Sequence, residues 1–135
     1  CAASIRWRDQ GLRLLMKTIK GGRIGYLIPD EVLVDINSGF SPFFAIRTAT
    51  VPCVGWLAEL SGAAVVPVFT RMLDKGRYAF DIKPPLSGFP LGDKQADTAT
   101  VNSVFEAEIR SAPEQALWTF KWFKTRPDNN VSPYD

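Results

Sequence analysis

The chain has 135 residues, 46% of them hydrophobic and 22% charged, and its 16 Lys and Arg against 14 Asp and Glu leave a net charge of +2. That length and balance allow about one domain with a core, and they exclude a polycation. With no histidine present, neither a Ser-His-Asp nor a Cys-His arrangement can be assembled from this chain alone.

The first element in chain order is a helix that Asp9 can cap, with Leu12, Leu15, Met16 and Ile19 at 3.6-residue spacing. Arg13, Lys17 and Lys20 lie on its opposite face, and Gly21 and Gly22 stop it as a left-handed cap would. They belong to a basic stripe over residues 6–23, where Arg6, Arg8, Arg13, Lys17, Lys20 and Arg23 oppose the single acid Asp9. Such a stripe steers an acidic partner or is a solvated helix face. "RIGYLIP" (residues 23–29) then predicts a short buried strand ended by Pro29. Residues 30–42 show no period and are expected to be a loop.

Thr50 begins the next predicted helix, "VPCVGWLAELS", tolerating Pro52 in its first turn and ending at Gly62. Its apolar residues go nearly all round, which predicts a buried helix. "AAVVPVF" reads as a strand covered on both faces. "LDKGRY" is a hairpin turn carrying Asp74 and Gly76, and Tyr78, Phe80 and Ile82 alternate as a partner strand should, until Pro84 and Pro85. After the loop "PLSGFPLGD", Asp97 opens a helix with Val101, Val104, Phe105, Ile109 and Ala112 on one face, and Pro113 starts a new helical turn. The order helix, strand, helix, strand predicts an α/β layer structure with a mixed, partly parallel sheet flanked by helices.

Candidate sites sit where this layout places sheet ends. Asp30 and Glu31 follow a predicted strand at its carboxyl end, a position for a ligand or for an exposed turn. Phe40, Phe43 and Phe44 are core or the lining of an apolar slot for a chain-like ligand. Arg47 and Arg71 near the same sheet edge can hold a phosphate or stand on the surface. The glycines of "GGRIG" close a helix and open a strand, the reverse of a dinucleotide fingerprint. Cys53 is a small hydrophobe on a buried helix. The two cysteines, Cys1 and Cys53, give no disulfide framework and no usual zinc set, so no metal and no cofactor is expected, and a reducing compartment fits them.

"PEQALWTFKWFKTRP" (residues 113–127) crowds aromatics and cations together. Trp118 and Trp122, four apart, are expected to share a helix face, with Phe123 extending it and Lys121, Lys124 and Arg126 beside it. Core packing ranks first for this cluster and a membrane interface second. Nucleic acid ranks third, for want of cations. No run reaches the ~18 apolar residues of a membrane span.

Taken in order, "GGRIGYLIPDE", "FSPFFAIRTATVP", "LAELSGAAVVPVF", "PPL" and "APEQALWTFKWFKTRP" resemble the late acyltransferases of lipid A biosynthesis, the lauroyl and myristoyl transferases within the lysophospholipid acyltransferase superfamily. The resemblance runs from about Gly11 to Tyr134, and "VVPV" looks like that superfamily's hydrophobic Pro motif. It implies the C-terminal half of a glycerol-phosphate-acyltransferase-like fold, forming one domain portion over residues 1–135. It also implies an enzyme at the cytoplasmic face of the bacterial inner membrane. The family moves a fatty acyl chain from acyl carrier protein to a hydroxyl of a lipid A precursor, with a His-x4-acid box as base. That box and the membrane anchor are expected upstream of Cys1, a start without Met that fits an excised piece, and an incomplete sheet would favour self-association.

By position, Pro29 and Asp30 match the Pro-Asp of the family's acceptor- or phosphate-positioning site, with Glu31 where a Gln or Glu is usual. Phe43 and Phe44 match its paired aromatics, and Trp118, Lys124 and Arg126 its closing segment. Val32 and Val34 stand where the family has a second Asp and a Gly, so an acyltransferase for another glycolipid or lysophospholipid is the second reading. A non-catalytic lipid- or protein-binding module is the third. The basic stripe is the expected dock for the acidic carrier protein.

Overall fold

The computed structural model describes residues 11–29, 39–127 and 133–134. Helix α1, Gly11–Lys20, lies beside a second helix, with Leu15, Met16 and Ile19 of its predicted apolar face half-buried. Leu12 of that face is exposed, as are Arg13, Lys17 and Lys20. Its end is the expected one. Gly22, at φ 76, donates its N–H to the Ile19 carbonyl at 2.9 Å, a left-handed cap that a side chain would strain. The Asp9 cap lies outside the described residues.

Residues 23–29 do not form the predicted buried strand. Ile24 is 96% exposed, and Tyr26 and Ile28 are exposed too. A strand exists only through a ladder, and none of the described residues supplies one here.

The expected loop gives way, in its described part, to strand β1, Gly39–Phe43, which pairs antiparallel with β2, Ile46–Thr50, in the register Phe43↔Ile46 and Gly39↔Thr50. The two-residue turn puts Phe44 at φ 49 and Ala45 at φ 64. Both positive angles match the turn that follows strand twist, but its usual Asn-Gly signature is missing, which is why the hairpin was not predicted.

Helix α2, Cys53–Ser61, starts three residues after the expected Thr50, because Pro52 is its N-cap and accepts the Trp56 N–H at 3.2 Å. Gly62, at φ 68, ends it as predicted. Gly55, Leu57 and Ala58 are buried but Glu59 and Leu60 are exposed, so the helix is buried on one side and not all round.

Strands β3, Val68–Leu73, and β4, Arg77–Ile82, form the predicted hairpin, joined by a 3-10 turn over Asp74–Gly76. The Lys83 N–H donates to Pro67 and the Leu86 N–H to Val65, at 3.0 and 2.9 Å, which prolongs the pairing back into "AAVV". One face of this hairpin is open, contrary to the expected strand covered on both sides. The two sheets, β1-β2 and β3-β4, are each antiparallel, so no parallel pair exists among the described residues. The segment meant to supply one, residues 23–29, has no ladder. The architecture is small mixed α/β.

Helix α3, Lys94–Ser111, begins before the expected Asp97, because the Asp93 carboxylate accepts the Ala96 N–H at 2.7 Å and caps it. Its predicted apolar stripe is only half-buried, while its buried residues are Asp97, Thr98 and Asn102. Pro113 starts a 3-10 turn, Pro113–Gln115, as expected, but turns rather than a helix follow. This closing segment lies along β2, where Thr48 Oγ1 donates to the Trp122 carbonyl at 2.5 Å and the Ala49 N–H to that of Thr125 at 3.3 Å. Among the described residues, Phe43, Ala49, Leu57 and Ala58 form the buried apolar core.

Candidate functional site

Thr98, Asn102 and Glu106 recur every four residues, so they share one face of α3. That face follows β1 and the turn after it. Thr98 already donates to the Lys94 and Gln95 carbonyls at 2.9 and 3.0 Å, so the Ser41 hydroxyl donates to Thr98 Oγ1. Asn102 Nδ2 donates to the Pro42 carbonyl at 2.9 Å and to Thr50 Oγ1 at 3.2 Å. The Phe44 N–H donates to Glu106 Oε1 at 2.7 Å. Each buried polar group so placed is satisfied.

This ladder holds an aromatic cluster. Phe43 is buried and meets Phe44, Trp122 and Phe123 with ring centroids 4.8, 5.4 and 5.9 Å apart. Phe44 is half-buried under the Arg110 guanidinium, 5.0 Å above its ring. Trp118 and Trp122 do touch, edge to face at 5.8 Å, although no helix joins them. Trp118 is 56% exposed and donates its indole N–H to the Pro113 carbonyl at 2.6 Å. Lys121 and Lys124 are exposed, and Arg126 is half-buried. The cluster therefore has an inner half on Phe43 and an outer half of Leu117, Trp118 and lysines.

The two arginines part company. Arg47 is exposed on β2 and, among the described residues, reaches the Phe40 carbonyl at 3.4 Å. Arg71, on the other sheet, pairs with Glu108 and donates to Ser111 Oγ at 2.7 Å. Glu108 also takes Lys83 at 3.2 Å, and Lys83 meets Asp81 at 2.5 Å. Those two carboxylates hold the Lys83 ammonium above its ordinary pKa, Asp81 contributing most. Arg71, Phe69, Phe105, Glu108 and Ile109 line a pocket between β3 and α3. Asp30 and Glu31 lie outside the described residues.

Glu106, Glu108 and Asn102 were not singled out from the sequence. The four-residue spacing of Thr98, Asn102 and Glu106 was the available signal, hidden beside an apolar stripe on the same helix. Cys53 opens α2 half-buried, and burial pushes its thiol above the ordinary pKa against the lowering pull of its own and Val54's backbone N–H. No group of three metal-ligating residues occurs among the described residues, and none of the described helices is long and apolar enough to cross a membrane.

Comparison with known proteins gives a family match over residues 3–125, described as bacterial lipid A biosynthesis acyltransferase. The lipid A biosynthesis palmitoleoyltransferase of Escherichia coli (strain K12) is 38% identical over 125 residues, 91% of this chain and 40% of that protein. The lauroyltransferase of the same organism is 36% identical over 125 residues, 91% of this chain and 41% of that protein. Its myristoyltransferase is 30% identical over 128 residues, 94% of this chain and 40% of that protein. The chain spans about two-fifths of the length of these curated relatives.

Proposed function

The chain belongs to the bacterial lipid A biosynthesis acyltransferase family, and we propose that it is the C-terminal portion of an enzyme that transfers a fatty acyl chain from acyl carrier protein to a hydroxyl of a lipid A precursor. The observation that carries this reading is the collinear match over residues 3–125 to relatives named for lauroyl, palmitoleoyl and myristoyl transfer. In the reaction the acceptor hydroxyl oxygen attacks the thioester carbonyl, the carbon–sulfur bond breaks, and the carrier thiol leaves. A base takes the hydroxyl proton, which ends on the thiolate. No imidazole is available in these residues. The base is assigned to a His-x4-acid box outside them.

The described residues then serve as scaffold and approach surface. Among them Phe44, with Phe43 behind it, presents apolar surface to the acyl chain. Asp30 and Glu31, which lie outside the described residues, are assigned by sequence position to orient the acceptor. Arg47, exposed on β2, is a cation available to an acceptor phosphate. Arg71 is already neutralised by Glu108. Arg13, Lys17, Lys20 and Arg23 are exposed and form no ion pair among the described residues, which suits an acidic carrier. Trp118 and Lys124, exposed on the outer half of the cluster, form the lipid-facing side at the cytoplasmic surface of the inner membrane, with half-buried Trp122 and Arg126 behind them.

The test is acyl transfer by the product of the whole gene, with carrier thioesters of graded length and a lipid A precursor, read by mass spectrometry. Mass gain on the precursor is expected. Gain only on a lysophospholipid or another glycolipid would favour the second reading, which rests on Val32 and Val34 beside Asp30. No gain on any acceptor would leave a non-catalytic lipid-binding module.

A further inference from the structure

The β3–β4 hairpin turns one face toward α3, where Phe69 meets Phe105 edge to face at 5.7 Å and Arg71 meets Glu108. Its other face carries Val66, Val68, Met72, Tyr78, Phe80 and Ile82, all exposed, with Phe80 at 71% and Ile82 at 69%. Thr70 completes that face, and no charged residue stands on it. Two largely exposed aromatic rings with four aliphatic neighbours make a contiguous patch on the scale of the largest found on a typical monomer, about 300–600 Å², which is often functional.

Among the described residues the other edge of β3 has no partner strand. The Met72 N–H donates to Gln115 Oε1 at 2.8 Å, and Gln115 Nε2 donates to the Met72 carbonyl at 3.1 Å. Both Met72 backbone groups thus point away from β4, and the period of two gives Val68 and Thr70 the same outward direction. The Gln115 amide closes this edge at Met72, and no described residue pairs with it before that.

We propose that this face, with the β3 edge at Val68 and Thr70, docks the part of the acyltransferase polypeptide that the relatives possess beyond the matched two-fifths. The proposal rests on the function proposed above. An acidic carrier or anionic lipid needs cations that this face lacks, whereas an apolar intramolecular contact needs none. An added strand ends before Met72, because Gln115 already occupies the groups it would pair with.

The experiment uses the product of the whole gene with Cys1 and Cys53 replaced by Ser and Ala, and one cysteine introduced by Phe80→Cys or, as control, Ser87→Cys on an exposed loop residue. Maleimide should label position 80 at least about ten-fold more slowly than position 87, as expected for a site reached only by local opening. Hundred-fold dilution should leave that ratio unchanged. Equal rates overturn the proposal. Protection that dilution removes also overturns it and makes a second copy the occupant. Hydrogen exchange over residues 66–82 of the unsubstituted protein repeats the test without a cavity at Phe80. Acyl transfer measured on the same preparation separates the two ideas, since protection without activity removes only the function and activity without protection removes only the docking.

Discussion

Gly55→Ala should destabilise the fold even though alanine is the better helix former. Gly55 is buried in α2, and a Cβ there would lie 2.4 Å from Asp97 Oδ2 and 2.9 Å from Asp97 Cβ on α3. Asp97 cannot swing aside freely, because its Oδ1 accepts the Leu91 N–H at 2.7 Å and the residue is 5% exposed. Propensity favours alanine by about 1 kcal/mol. Overpacking costs about 1–3 kcal/mol, and loss of a hydrogen bond to a charged group about 1.5–3. The clash wins, for a net loss on the order of 2–4 kcal/mol. Urea titration followed by circular dichroism measures it. In an Asp97→Ala background the nearest contact relaxes from 2.4 to 2.9 Å, so the same substitution should cost less, with a coupling of about 1 kcal/mol. A raised urea midpoint for Gly55→Ala, or strict additivity with Asp97→Ala, would refute the close helix approach.

Glu108→Ala removes the shared partner of Arg71 and Lys83 and should cost about 1–2 kcal/mol by urea titration, discounted for their partial exposure and shrinking in high salt. The raised Lys83 pKa gives stability that is complete below the ordinary lysine pKa and is lost as pH climbs through the folded value. Stability measured from pH 9 upward should therefore fall less steeply in Lys83→Met, and identical slopes would refute the pairing. Trp122→Ala should lower the thermal midpoint, because Trp122 packs on buried Phe43. Trp118→Ala with Lys124→Glu should leave that midpoint nearly unchanged but weaken sedimentation with anionic vesicles. Vesicle binding that survives this pair sinks the lipid interface. Glu106→Ala should speed hydrogen exchange of the Phe44 amide measured by NMR, whereas Glu106→Gln, which keeps an acceptor, should not.

Helix ends and the second hairpin were legible because their signals are local. Gly22 and Gly62 adopt the left-handed angles that stop a helix, and "LDKGRY" folds as the turn its Asp and Gly announce. The β1–β2 hairpin was hidden, since Phe44 and Ala45 hold positive φ without a glycine or asparagine, helped by a carboxylate 62 residues away. Residues 23–29 show the opposite failure. Their pattern is that of a strand, but a strand is a relation to a neighbour, and composition cannot supply one. In the candidate site, the aromatic cluster was readable as a cluster. Its division into an inner half on Phe43 and an outer half at Trp118 depends on where the closing segment meets β2, which no local period encodes. The arginines were separated by Glu108, a partner 37 residues from Arg71.

The two sheets share no ladder, so their relative placement falls to α3. Thr98, Asn102 and Glu106 index β1 by hydrogen bonds, which are directional and leave little freedom to slide. Phe105 and Glu108 hold β3 and β4 by a ring contact and a charge network, which depend less on register. The stricter coupling thus goes to the hairpin that carries Phe43, Phe44 and Arg47. Left-handed geometry at Phe44 and Ala45 costs roughly 1–2 kcal/mol per residue, and the charged bond from the Phe44 N–H to Glu106 offsets a similar amount. A turn balanced this way holds its aromatic residues in place only while α3 is docked. Strain at the tip, polar indexing along β1 and an aromatic seat beneath therefore act together, and they make α3 the element that sets the geometry of the surface proposed to meet substrate.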